Sequence, residues 1–110
     1  MSKEIPDYVE GHNLLAGKSV LITAAAGAGI GFSAARRAVE EGATAVVISD
    51  VHEGRLNQAK DTLAELSNTC RISAQLCDVT NEAQVQALVD FAEAGTGGVD
   101  VLINNAGLGG

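Results

Sequence analysis

Aromatic side chains are nearly missing from this 110-residue chain, which has one Tyr, two Phe and no Trp. A core of this composition must be filled by Val, Ile, Leu and Ala, and with 46% hydrophobic residues there are enough of them to expect a packed domain rather than disorder. Basic residues are also scarce, seven Lys and Arg against fourteen Asp and Glu, for a net charge of −7. Clustered cations are what neutralise a phosphate backbone, so this balance argues against nucleic acid as a partner. Cys70 and Cys77 are the only cysteines, with neither C-x-x-C spacing nor a nearby His, and read as reduced structural thiols rather than a metal site. The opening "MSKEIPDYVEGHNLLAGK" has no apolar stretch of signal-peptide length, and no later run approaches the roughly 20 residues of a membrane span. A soluble, cytoplasmic protein with no membrane partner is therefore expected. The length suits a single small domain.

Residues 1–16 read as a polar, extended arm, and the domain proper as residues 17–110. Within it, short β-branched apolar runs alternate with stretches of helical periodicity. "KSVLIT" (18–23) is predicted as a buried strand. "IGFSAARRAVEEG" (30–42) is predicted as a helix stopped by Gly42. "TAVVISD" (44–50) is a second strand, and residues 53–67 a helix with Leu56, Ala59, Leu63 and Leu66 on one face. "RISAQLCDV" (71–79) follows as a third strand. Thr80 is placed as N-cap of a helix over 81–94, whose inner face is Val85, Leu88, Val89 and Ala92. "VDVLINNAG" (99–107) supplies a fourth strand and the loop beyond it. Apolar strands alternating with amphipathic helices predict an α/β fold, a Rossmann-type doubly wound parallel sheet of about four strands and three helices with right-handed crossovers.

In such a sheet ligands bind off the carboxyl ends of the strands, so the residues following each strand carry the functional reading. After the first strand comes "TAAAGAGIG" (23–31), where small residues let a pyrophosphate approach backbone N–H groups and the positive end of a helix. Tight strand-helix packing explains the same composition equally well. Asp50 closes the second strand, nineteen residues beyond Gly31. That is the place of the acid that accepts hydrogen bonds from an adenosine ribose. A carboxylate there also repels a 2′-phosphate, by roughly 4 kcal/mol at 4 Å and an effective dielectric of 20 before screening, so NAD is favoured over NADP. The bland alternative for Asp50 is an N-cap of the next helix. Asp78 is read either as an acceptor for an exocyclic amine such as that of adenine or as a turn or capping residue. Asn104 to Gly107, "NNAG", put two amides at the ligand edge, where tying neighbouring strands is the structural alternative.

Together, "TAAAGAGIG", the acid closing the second strand, "CDVT" and "INNAG" resemble the short-chain dehydrogenase/reductase family, from about Lys18 to the last residue. The resemblance implies NAD(P)-dependent interconversion of an alcohol and a carbonyl by hydride transfer. Residue by residue, Gly29, Ile30 and Gly31 match the end of that family's T-G-x-x-x-G-I-G turn, which puts Ala25 where its first glycine stands. If positive φ is required there, an alanine costs about 1 kcal/mol or more. Asp50 matches the NAD-selecting acid, Asp78 and Val79 the pair flanking adenine, and Asn104, Asn105, Ala106 and Gly107 the loop near the ribose and nicotinamide half. "TAAAG-x-GIG" with "NNAGLGG" is similar to an actinobacterial branch that includes reductases of steroid-ring breakdown acting on CoA thioesters. A small carbonyl or alcohol substrate, including an acyl-CoA, is implied, as is a homo-oligomer at full length.

The family's catalytic Tyr-x-x-x-Lys pair, with its Ser and Asn, lies after the "NNAG" loop. Here the one tyrosine is Tyr8, with no lysine at that spacing. No catalytic residue is therefore assigned, and the chain is expected to be the N-terminal, cofactor-binding part of a longer polypeptide. A non-catalytic nucleotide-binding or regulatory module remains the alternative. A methyltransferase-like domain shares the glycine turn and the acid but leaves "NNAG" unexplained.

Overall fold

The computed structural model describes residues 13–23 and 30–104. Among these residues seven elements follow one another: β1 (Ser19–Thr23), α1 (Ile30–Glu40), β2 (Ala45–Asp50), α2 (Glu53–Ala64), β3 (Arg71–Leu76), α3 (Glu82–Thr96) and β4 (Val101–Asn104). The strands form one parallel sheet in the order β3-β2-β1-β4.

Side chains alternate across a strand, and this separates the core into two layers. Val20 and Ile22 of β1, with Val46 and Ile48 of β2, face a cluster that includes Ala35, Ala38 and Val39 of α1 and Leu56, Ala59 and Leu63 of α2. Leu21 and Val47 point the other way, onto Leu88 and Ala92 of α3. Helices therefore cover both faces, as the doubly wound reading requires. With both faces covered, β1 is buried throughout and β2 up to Ser49, whereas β3 and β4 form the edges and are partly exposed, with Leu102 at 60%.

Hydrogen bonding at the ends sets the element lengths. Beyond α1, the Gly42 N–H bonds the Val39 carbonyl and the Ala43 N–H the Ala38 carbonyl, and Gly42 is left-handed with φ 84°. This is the paired closure that glycine allows one residue past a helix cap. Ahead of β1, Leu14 and Leu15, within the stretch read as an extended arm, bond to the residue that follows α1. The Leu15 N–H bonds the Glu41 carbonyl at 2.9 Å, and the Leu14 N–H bonds Oε1 of Glu41 at 3.1 Å. Glu41 is itself 5% exposed and paired through Oε2 to Arg37 at 2.6 Å. The helix α2 ends at Ala64, earlier than the periodicity suggested, and Leu66, expected on its inner face, is 42% exposed. The Leu66 N–H has already turned back to the Leu63 carbonyl, which takes its side chain off the buried stripe. On the opposite side of the sheet, α3 ends at Thr96, two residues later than expected, with Gly97 as its cap at φ 79°.

Candidate functional site

A parallel sheet gathers all its carboxyl ends on one edge, and the register shows which residues meet there. Thr23 pairs with Asn104 across β1 and β4, and Asp50 pairs with Leu76 across β2 and β3. The chain steps outward from β1 to β2 to β3, then returns to the far side of β1 as β4. The crevice between the ends of β1 and β4 is thus the topological switch point, where doubly wound sheets take their ligands. "TAAAGAGIG" begins at the end of β1, and "NNAG" begins at the end of β4. Ile30 opens α1, Gly31 is buried in its first turn and Asn104 closes β4, while Ala25, Gly29, Asn105, Ala106 and Gly107 lie outside the described residues.

Asp50 is half-buried at the end of β2. Its Oδ1 accepts from the His52 N–H at 3.1 Å, closing a short turn into α2. It is not the N-cap: His52 holds that position and makes no side-chain capping bond.

Asp78 follows β3 by two residues. The last tie to the sheet is the Cys77 N–H to the Asp50 carbonyl at 3.0 Å, which puts the two acids on adjacent strand ends. Oδ1 of Asp78 accepts from both the Thr80 hydroxyl, at 2.7 Å, and the Thr80 N–H, at 2.9 Å. These two bonds, the hydroxyl's first, hold the Asp78 carboxyl below its usual range, so it is an anion throughout the physiological span. Thr80 is consequently not the N-cap of α3. Its hydroxyl donates to a charged acceptor, the stronger bond, and Asn81 caps the helix instead, accepting from the Gln84 N–H at 3.1 Å.

Gln84, which the sequence reading did not single out, is tied into the same turn. Its side-chain carbonyl accepts from the Asp78 N–H at 2.8 Å. The signal was present: Asn81 and Gln84 stand at the cap and third positions of a capping box, although here the glutamine reaches past the cap to Asp78. Val79 is half-buried and lines an apolar cavity of about 170 Å³ together with Leu21, Thr23, Val85, Leu88 and Leu102.

Both thiols are buried and unpaired. Burial pushes both up from the ordinary thiol range, with the Asp78 charge adding to the effect at Cys77. Among the described residues no three His, Cys, Asp or Glu side chains group to hold a metal ion, and no helix is long and apolar enough to cross a membrane.

The chain is similar in sequence and fold to known proteins. A hydroxy-methyl-oxo-hexahydro-indene-carboxyl-CoA reductase of Mycobacterium tuberculosis is 56% identical over 107 residues, 96% of this chain and 39% of that protein. The crystal structure of a short chain dehydrogenase from Mycobacterium smegmatis superposes with a TM-score of 0.88 at 54% identity, covering 96% of this chain and 42% of that one. Two more distant structures hold dinucleotides. NAD+-bound xylitol dehydrogenase is 35% identical, with a TM-score of 0.79 over 88% of this chain and 36% of that one. The L-sorbose reductase of Gluconobacter frateurii, complexed with NADPH and L-sorbose, is 33% identical, with a TM-score of 0.78 over 87% of this chain and 35% of that one. The chain spans about two-fifths of the length of the first two. The family model for short chain dehydrogenases matches residues 18–110, and the chain belongs to that family.

Proposed function

We propose that this chain is the cofactor-binding part of an NAD-dependent oxidoreductase that interconverts an alcohol and a carbonyl. The observation carrying this reading is the placement of Asp50 and Asp78 on adjacent strand ends, on the sheet edge that also holds the β1/β4 switch point. The two carboxylate acceptors and the start of α1 suit a dinucleotide. Asp50 is suited to accept from the adenosine ribose, Asp78 from the adenine amine, and the start of α1 after the glycine turn to receive the pyrophosphate. Ala25, Gly29, Ile30 and Gly31 would form that turn, Val79 would flank the adenine, and Asn104, Ala106 and Gly107 would border the nicotinamide half. When bound, the nicotinamide supplies or accepts the hydride; the residues of this chain bind and orient it.

The charge of Asp50 favours NAD over NADP. The 56% identity to a CoA-thioester reductase supports a ring ketone or alcohol carried on coenzyme A as the substrate class. Two buried, unpaired thiols suit a reducing compartment, so the cytoplasm is proposed as the location, and a homo-oligomer as the working form. The test is turnover by the natural-length protein. Carbonyl-dependent oxidation of NADH, with NADPH the poorer cofactor, is expected. Tight NADH binding with no turnover of any carbonyl or alcohol would indicate the non-catalytic module instead.

A further inference from the structure

We infer that Thr80 and Gln84 are positioning residues for cofactor recognition, fixing the turn after β3 so that a single oxygen of Asp78, Oδ2, is presented to the adenine amine. The inference rests on the proposed assignment of Asp78 to adenine and adds two residues that touch no cofactor themselves.

Past Cys77 the chain has left the ladder, and nothing in the sheet fixes Asp78. Side chains and a turn do so instead. The Asp78 N–H goes to Oε1 of Gln84 at 2.8 Å, its carbonyl accepts from the Asn81 N–H at 2.9 Å, and its Oδ1 takes both donors of Thr80. Gln84 is itself tied, since its own N–H is held by Oδ1 of Asn81. Every polar group of Asp78 except Oδ2 is thereby engaged, and Oδ2 has no partner among the described residues. A carboxylate held through one oxygen by two donors has little rotational freedom left, so the remaining oxygen accepts from a fixed direction. A freely turning carboxylate would accept a ribose hydroxyl, a water or an amine alike. One that is locked discriminates by geometry, which is the usual benefit of holding a binding group through its neighbours. The same bonds place Val79, the next residue, over its cavity.

The experiment compares NADH with reduced nicotinamide hypoxanthine dinucleotide, in which an oxygen replaces the adenine amine, using the natural-length protein. The readout is the ratio of the two dissociation constants. A hydrogen bond from the amine to a carboxylate predicts a wild-type preference for NADH of about tenfold or more. Asp78→Ala should abolish that preference. Thr80→Val and Gln84→Met should each reduce it about threefold or more, while Thr80→Ser and Gln84→Glu, which retain the hydroxyl and an acceptor, should keep most of it. A purely structural role would weaken both cofactors alike and leave the ratio unmoved. If Asp78→Ala abolishes the preference while Thr80→Val and Gln84→Met leave it intact, the positioning role is overturned and the adenine assignment stands. If Asp78→Ala leaves the preference intact, the assignment fails and the inference with it.

Discussion

Replacing Asp50 with alanine removes one charge from the end of β2, and its effect on cofactor choice can be sized. A unit charge about 4 Å away at an effective dielectric of 20 interacts by roughly 4 kcal/mol. Asp50 is half-buried, so solvent ions reach it. With a screening length of about 8 Å at physiological salt, about 2 kcal/mol of repulsion toward a 2′-phosphate remains, worth about thirtyfold in NADPH affinity. With Asp50 at the ribose as proposed, NADH would in turn lose a hydrogen bond to a charged acceptor, about 1.5–3 kcal/mol, or roughly ten- to a hundredfold. The ratio of the two dissociation constants should therefore move toward NADPH by about 300- to 3000-fold in Asp50→Ala. Asp50→Asn separates the contributions. It keeps an acceptor for the His52 N–H, now 3.1 Å from Oδ1, and loses only the charge, so it should recover most NADH affinity while still relaxing the exclusion of NADPH. Titrating both cofactors at low salt and at about 1 M, where the screening length falls to about 3 Å, should show the charge-dependent share shrinking. An unmoved NADH/NADPH ratio in a folded Asp50→Ala protein would refute the reasoning and remove Asp50 from the ribose site.

Gly42→Ala should cost about 1–2 kcal/mol by denaturant titration, because φ is 84° and a Cβ would sit 2.7 Å from Oδ1 of Asn13. Gly42→Asn should cost less, and an alanine variant as stable as wild type would contradict the turn that closes α1. Asp100→Ala should cost about 1–3 kcal/mol, since Oδ2 of Asp100 accepts the Ser19 N–H at 2.9 Å while the Asp100 N–H bonds the Ser19 carbonyl at 2.9 Å. Asp100→Asn should restore most of that, and hydrogen exchange at residues 101–104 should quicken in the alanine variant alone. With both thiols buried and raised, native Cys70 and Cys77 should react with a thiol reagent at pH 7 far more slowly than in denaturant. Equal rates would place them at the surface.

The order of strands and helices was legible because apolar periodicity survives wherever an element is buried, as at Val20 to Ile22 or at Leu56, Ala59 and Leu63. The ends were less legible, being settled by competition among local hydrogen bonds. Thr80 and Asn81 are both capping residues by type, and the carboxylate of Asp78 decided between them by claiming the threonine hydroxyl. Gln84 escaped notice for a related reason. Its partner is a backbone N–H six residues earlier, which becomes reachable only after the turn has formed. Leu66 looked like a fourth inward residue because periodicity extrapolates a helix past the point where its hydrogen bonds stop. The φ of Ala25, the most specific departure from the family's glycine turn, lies outside the described residues.

The proposed function requires a dinucleotide along the carboxyl edge of this sheet, with its adenosine at Asp50 and Asp78. The most direct measurement is a crystal structure of the natural-length protein soaked with NADH. The ribose hydroxyls should lie within hydrogen-bond distance of the Asp50 carboxylate and the adenine amine within that distance of Oδ2 of Asp78. An adenosine bound elsewhere, with both carboxylates facing solvent, would contradict the account.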